Sequence, residues 1–348
     1  MKDIKKGKKV LVAMSGGVDS SVSALLLKQQ GYDVVGGIME IYQTERGIED
    51  ARKVADRLGI PLHIFDFKEI FKEKVMKYFV NEYLAGRTPN PCVVCNKEIK
   101  FDALLDEVFK LDGEYIATGH YAQIEQRGGR YLLKKGKGGS KDQTYFLYRL
   151  TQGQLSRILF PIGDLEKDEV REIAKRNGLF VSDKPDSQEV CFIQDNDYVG
   201  FIEQNIKERI PSGKFVDTKG NILGEHRGVY NYTLGQRKGL GVSSKKALFV
   251  VDIDVERNVV VLGDDIDTLG SELIAGDTNW IMFETLEKDM RVSAKIRSGA
   301  RESVCRIKPM DDGRVRVMFD TPQRAITPGQ SVVFYEGDYV VGGGVIQS

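Results

Sequence analysis

Apolar positions in the first half of the chain fall into two alternating rhythms. Val10, Leu11, Val12 and Ala13 form a short continuous apolar run, and behind it Val18, Val22, Leu25 and Leu26 recur at three- and four-residue spacing until Gly31. That is a buried strand feeding a helix, with the glycine just past the helix end. The pattern repeats. Residues 33–41 read as a strand, 44–58 as a helix stopped by Gly59 and Pro61, 62–67 as a strand, and 68–86 as a helix with Ile70, Phe71, Val75, Phe79 and Tyr83 on one face. A helix carrying Ile99, Leu104, Leu105 and Val108 is expected to start at a cap on Asn96. A strand over 115–124 and helices over 145–150 and 164–177, the last capped by Asp164, complete the series. Strands alternating with helices predict an α/β fold with a doubly wound parallel sheet, whose ligand lies beyond the carboxyl ends of the strands.

The rhythm stops near residue 211. Short β runs at 214–216, 228–230, 247–253 and 259–262, then at 280–283, 291–296, 303–307, 314–319, 331–335 and 340–346, predict a small central β-rich domain and a C-terminal β-barrel. Domains are therefore expected at 1–207, 208–270 and 271–348, which suits a chain of 348 residues. No run approaches the roughly 18 apolar residues of a membrane span, and residues 1–9 carry no apolar signal segment, so a cytoplasmic protein with no membrane partner is expected. Lys and Arg total 51 and Asp and Glu total 51, so no global field attracts nucleic acid and any RNA contact must come from local patches.

The strongest chemical signal is Ser15-Gly16-Gly17-Val18-Asp19-Ser20, at the bend between the first strand and the first helix. Two glycines let the backbone approach an anion, and the first helical amides attract it. No Gly-Lys-Ser/Thr follows, which disfavours chemistry at a γ-phosphate. The loop instead resembles that of ATP pyrophosphatases, which cleave between the α- and β-phosphates and adenylate an acceptor oxygen. Met39, near the end of the second strand, is either a rest for adenine or a core methionine. Gly119 would let a nucleotide come close, and His120 either donates to a phosphate or is structural. Residues 134–143 form a basic, glycine-broken loop that either meets an anion or is simply solvated.

Four cysteines are too few for a disulfide scaffold, and Cys92 and Cys95 form a CxxC pair suited to metal or redox chemistry. Prolines stiffen the approach, and a cap at Asn96 would put Cys95 at a helix N-terminus, where the dipole favours thiolate. A structural zinc knuckle would need a second nearby pair, which is absent. Cys191 follows a polar stretch and is either a reactive thiol or an inert one beside Val190, Phe192 and Ile193. Cys305 lies inside a strand and reads as packing. Arg237 and Lys238, between glycines in YTLGQRKGLG, could follow a phosphate backbone.

Taken together, AMSGGVDSSV, TPNPxxxCNxxIKF, ATGHYA, GKDQTYFLY, CFI, YTLGQRKGLG and TPGQSVVFY resemble one family over nearly the whole chain: the tRNA-specific 2-thiouridylases of the MnmA/TrmU type. The resemblance implies ATP-dependent replacement of the C2 oxygen of the wobble uridine by sulfur, in tRNAs for Lys, Glu and Gln. It implies ATP contacts at Ala13, Met14, Ser15, Gly16, Gly17, Val18, Asp19, Ser20, Met39 and Gly119. Cys95 resembles the first catalytic cysteine and Cys191 the persulfide carrier: a persulfide on Cys191 could attack C2, and Cys95 the resulting disulfide to free the product. Asn90, Pro91 and Cys92 resemble the target-base segment. His120, Lys141, Asp142, Gln143 and Gln330 resemble tRNA contacts, as do the positions of Ser298 and Gly299.

Mg²⁺ would accompany ATP, and a cysteine desulfurase or sulfur relay protein would donate sulfur. Two positions depart from the family. It often has Asp where this chain has Cys92, and an aromatic-arginine pair where this chain has Ser298-Gly299. The cysteine at 92 opens a second route, in which Cys92, Cys95 and Cys191 hold three irons of a [4Fe–4S] cluster and the fourth binds hydrosulfide. A noncatalytic tRNA-binding or iron–sulfur protein on the same fold is the alternative of another class.

Overall fold

The structure, a computed structural model, describes residues 7–41, 45–184, 190–193, 196–208 and 210–348. The start of the chain read for a signal segment, the expected helix start at 44, and the polar approach to Cys191 at 185–189 lie outside the described residues.

Strand β1 (Lys9–Ala13) is central because Val10, Leu11 and Val12 are buried on both faces, the signature of a parallel strand covered by helices. It pairs in parallel with β2 (Asp33–Glu40) on one side and β4 (Tyr115–Ala117) on the other. With β3 (Leu62–Asp66) and β7 (Ile158–Leu159) they form a five-stranded sheet of order β3-β2-β1-β4-β7. Helices α1 (Val18–Gln29) and α2 (Glu45–Leu58) follow β1 and β2, and Gly31 takes a φ of +87° just beyond the end of α1. The chain leaves β1 for β2 on one side and later returns to β4 on the other, so a crevice opens at the carboxyl ends of β1 and β4.

Several expectations fail here. The strand expected over 115–124 ends at Ala117, and β5 (Ala122–Arg127) starts a hairpin with β6 (Arg130–Lys135), so Lys134 and Lys135 lie in a strand and not in a loop. The helix expected over 145–150 is one short 3₁₀ turn, Thr144–Phe146, followed by turn residues 147–149. Tyr145, Leu147, Tyr148 and Leu150 are all buried, a spacing that wraps no single helix face, because this segment is clasped between two domains. The Tyr145 hydroxyl donates to the Ser331 carbonyl at 2.8 Å, and Asn279 Nδ2 donates to the Tyr148 carbonyl at 2.6 Å. The helix expected from a cap at Asp164 runs Lys167–Arg176, capped by Glu166 in a reciprocal box with Glu169.

The central region is a four-stranded sheet in the order Phe249–Asp254, Val259–Gly263, Gly213–Asp217, Ile222–His226, packed on Phe215, Val229 and Tyr232. Residues 228–230, expected as β, fall in a tight turn at Val229–Asn231. Six C-terminal strands close into a barrel when Leu269–Trp280 pairs with Tyr339–Ile346. Tyr339 also pairs with Lys134, which adds the hairpin of β5 and β6 to the barrel's sheet. The catalytic half and the barrel thus share hydrogen bonds and one core, since Ile281, Val333 and Tyr335 pack with Tyr145 and Tyr148.

Candidate active site

The phosphate loop is shaped by sterics at Gly16. Its φ is +72°, and a Cβ there would lie 2.3 Å from the Gly47 carbonyl oxygen, so the bend is pressed against the start of α2. Gly17 is the N-cap of α1 and offers no side-chain cap, leaving the first amides of a twelve-residue helix open to an anion. Ser20 Oγ accepts from the Ser15 amide at 3.2 Å and donates to the Gly17 carbonyl at 3.2 Å, fixing the turn from within. Gly119 is required for a steric reason of its own. A Cβ at Gly119 would sit 2.8 Å from Asp19 and Ser20, so the glycine lets the end of β4 touch the start of α1.

Ala13, Met14, Ser15, Asp19, Ser20, Met39, Gly119, His120 and Gln143 line one cavity of about 170 Å³ at the crevice, together with Lys100 and Thr118. The carboxylate of Asp19 is held from two sides: Lys167 Nζ lies 2.8 Å from each of its oxygens and the Tyr121 hydroxyl donates at 2.8 Å. Lys184 similarly joins the Gly16 carbonyl, at 2.9 Å, to Asp50, at 2.5 Å. Lys167, Lys184, Tyr121 and Thr118 escaped the sequence reading, because no spacing links them to the loop.

His120 is buried and its Nδ1 pairs with the Thr118 hydroxyl at 2.7 Å. Burial, then the nearby Lys100 charge, hold its pKa well below the ordinary histidine value, so it is a neutral imidazole and not a cation for phosphate or RNA. Asp142 turns inward to the amides of Gly136 and Thr144, and Gln143 accepts from the Tyr121 amide at 2.9 Å; of that expected tRNA trio only Lys141 is exposed.

The cysteine helix begins earlier than expected. Asn90 is the cap, accepting from the Val93 amide at 3.4 Å, with Pro91 in the first position, and Asn96 instead anchors the helix by donating to the Phe146 carbonyl at 3.1 Å. Cys95 therefore lies a turn inside the helix, where it is buried, and its pKa is pushed up to about 12, chiefly by burial and then by Cys191 and Cys92; Lys100 acts the other way. The expected dipole-stabilised thiolate is absent from this arrangement. From Cys95 to Ala103 the helix widens into π-helical turns, a feature frequent at functional sites.

Cys92 and Cys191 reach solvent, yet surrounding protein still raises both thiol pKa values, and each feels Lys100. Cys191 is fixed by its neighbour: the Phe192 ring plugs into Phe71, Phe79 and Phe201 at centroid distances of 5.5, 5.4 and 5.1 Å. Cys191 is exposed and not buried among Val190, Phe192 and Ile193, and Cys305 is the buried packing residue. Cys92, Cys95 and Cys191 lie within electrostatic reach of one another, but among the described residues no three His, Cys, Asp or Glu side chains are arranged to hold a single metal ion.

Farther out, Gln330 spans from barrel to catalytic domain, its Nε2 donating to the Thr88 and Pro89 carbonyls at 3.0 and 3.1 Å. It holds the segment leading to Asn90. Arg237 and Lys238 are exposed on a turn pinned by Gln236, and Ser298 and Gly299 are exposed between two barrel strands.

A phosphate loop in the crevice of a parallel sheet, with thiols gathered around a lysine of the same cavity, defines an enzyme of the ATP-pyrophosphatase loop class. The model for the tRNA methyl transferase HUP domain matches residues 8–195, that for the tRNA methyl transferase PRC-barrel domain 199–264, and that for the aminomethyltransferase beta-barrel domain 270–346. The chain is 57% identical to the tRNA-specific 2-thiouridylase MnmA 1 of Thermoanaerobacter pseudethanolicus, over 99% of both chains, and 54% identical to MnmA of Clostridioides difficile, over 98% of both. It belongs to the tRNA-specific 2-thiouridylase family. A 4-thiouridine synthetase–RNA complex with bound ATP is a remote structural likeness, at TM-score 0.40 and 19% identity over 53% of this chain and 45% of that one. Among the described residues no helix is long and apolar enough to cross a membrane.

Proposed function

We propose that this enzyme carries out the ATP-dependent 2-thiolation of tRNA at the wobble uridine, with Cys191 as sulfur carrier and Cys95 as the thiol that releases the product. The observation that carries the reading is that Lys100 lines the cavity of the SGGVDS loop while its charge is felt by Cys92, Cys95 and Cys191.

The base is flipped from the anticodon loop, where unstacking costs little. Its O2 attacks the α-phosphorus of ATP, the α–β bond breaks, and pyrophosphate leaves against the open amides of α1. The C2 oxygen now departs readily as part of AMP. The terminal sulfur of a Cys191 persulfide attacks C2, the C2–O bond breaks, and the base is left joined to Cys191 through a disulfide. Cys95 then attacks Cys191 Sγ, its thiol proton passing to the departing base, which frees neutral 2-thiouridine and forms a Cys95–Cys191 disulfide that an external dithiol reduces.

The high pKa of Cys95 keeps its thiol protonated at rest, so it does not discharge the persulfide before the base is activated. Cys92, with its own raised pKa, is no proton acceptor at neutral pH in the way a carboxylate would be. Mg²⁺ would lower the barrier to pyrophosphate loss. With the Asp19 carboxylate engaged by Lys167 and Tyr121, the ion would enter on the triphosphate. A cysteine desulfurase or sulfur relay protein would load Cys191. Arg237, Lys238, Lys141 and the Ser298-Gly299 turn are exposed where RNA phosphates could reach them.

The test is the bond that is cut. With ATP labelled at the α- and γ-phosphates and substrate tRNA present, AMP and pyrophosphate are expected. ADP and inorganic phosphate would contradict the reading.

A further inference from the structure

Three lysines surround the phosphate loop, and two are committed. Lys167 is paired with Asp19 and Lys184 with Asp50. Lys100 has no carboxylate partner among the described residues, although it is half-buried and lines the same cavity as Ser15, Ser20 and Gly119. A cation held in a protein wall without a counter-charge is costly until an anion arrives.

Backbone geometry accounts for its placement. In a regular α-helix residue 100 would stand about 140° around the axis from residue 95. In the π-helical turns of Cys95–Ala103 the hydrogen-bonded ring spans five residues, so Lys100 comes round one turn above Cys95 on its side of the helix. The wide turns thus align a thiol and an ammonium that ordinary helical spacing would separate.

We propose that Lys100 is a further catalytic residue, its ammonium placed against the α-phosphate of the bound nucleotide and shared with the thiols that deliver sulfur. This rests on the thiolation chemistry above. Its electrostatic reach agrees: the Lys100 charge lowers the pKa of Cys92, Cys95, Cys191 and His120 alike.

One fixed cation then serves successive anions. Negative charge grows on the α-phosphate as the base oxygen attacks. A persulfide anion later approaches C2, and AMP departs carrying the C2–O electron pair. A preorganised donor aimed at such charge needs no reorganisation at the moment of reaction. Neutral His120, tilted against Phe101 and edge-on to Phe160, supplies no positive charge of its own, which leaves this role to Lys100.

The experiment compares Lys100→Met, Lys100→Gln and Lys100→Arg with wild type, using full-length protein whose Cys191 has been loaded with persulfide by a cysteine desulfurase. A single turnover on an unmodified tRNA transcript is followed through AMP and through 2-thiouridine, with ATP and tRNA affinities measured separately. Lys100→Met and Lys100→Gln should each slow AMP formation by about 10²-fold or more, in line with loss of one preorganised donor. ATP affinity should fall by less than the rate does, tRNA affinity should change little, and Lys100→Arg should recover a substantial part of the rate. Neutral variants within threefold of wild type would overturn the proposal, as would an arginine variant no faster than the neutral ones at equal thermal midpoint. Wild type that forms AMP but no 2-thiouridine would sink the sulfur route above and still leave Lys100 decided by its AMP rates.

Discussion

At the scale of single residues the site is a set of charges and thiols whose state depends on partners distant in sequence. Asp19 is the clearest case: the motif that contains it points to a ligand contact, but Lys167, 148 positions away, takes both carboxylate oxygens. No pattern in the chain announces that pairing. Cys95 shows the same limit, since its CxxC spacing is visible in the sequence and the burial that sets its acidity is not. A prediction follows from that burial. Brief iodoacetamide treatment near pH 8 should label Cys92 and Cys191 before Cys95 and Cys305, the last two having thiols raised to about 12. Labelling of Cys95 should climb about tenfold per pH unit between pH 8 and 11, as its thiolate fraction does. Peptide mapping that finds Cys95 labelled first would contradict this. The sign carries over to stability. A thiol with a raised native pKa contributes stability that is complete below the unfolded value and lost as pH climbs through the native one, so Cys95 and Cys305 weaken the fold in alkali, not in acid.

Secondary structure was legible where period and burial agree. The alternation of β1, α1, β2, α2 and β3 follows from apolar runs closed by Gly31, Gly59 and Pro61, and the structure differs there by a residue or two. It was illegible where an element answers to a distant partner. The 144–150 segment has the composition of a helix but is held by Ser331 and Asn279 of the barrel, and Gly119 breaks the apolar run 115–124 so that β4 can meet α1. The π-helical turns at Cys95 could not be read from a period of 3.6. Gln330 belongs to this scale as well, because it braces the loop before Asn90 from another domain. Gln330→Ala should cost roughly 1–2 kcal/mol in the stability of that junction, two neutral hydrogen bonds' worth, and lower the thermal midpoint without changing the salt dependence of tRNA binding. An unchanged midpoint with weakened tRNA affinity would make Gln330 a direct RNA contact instead.

The whole molecule has equal numbers of acidic and basic side chains, so net charge does not gather tRNA, and under the proposed function that work falls to local exposed cations such as Lys238. Lys238→Ala should therefore flatten the slope of log affinity against log salt by about one unit or somewhat less, equally for every tRNA bound. An unchanged slope and affinity would mark Lys238 as a plain surface lysine. Closure of the barrel onto the hairpin of β5 and β6 makes the domains one framework, which suits a reaction needing base, nucleotide and thiols in register. The central claim is that sulfur passes from Cys191 to the activated base and that Cys95 releases it. The most direct measurement is a single turnover with ³⁵S-persulfide on the protein. Wild type and Cys305→Ser should transfer label into 2-thiouridine, Cys95→Ser should stop at a reducible protein–tRNA adduct, and Cys191→Ser should transfer none. Labelled 2-thiouridine formed by Cys191→Ser at the wild-type rate would contradict the account.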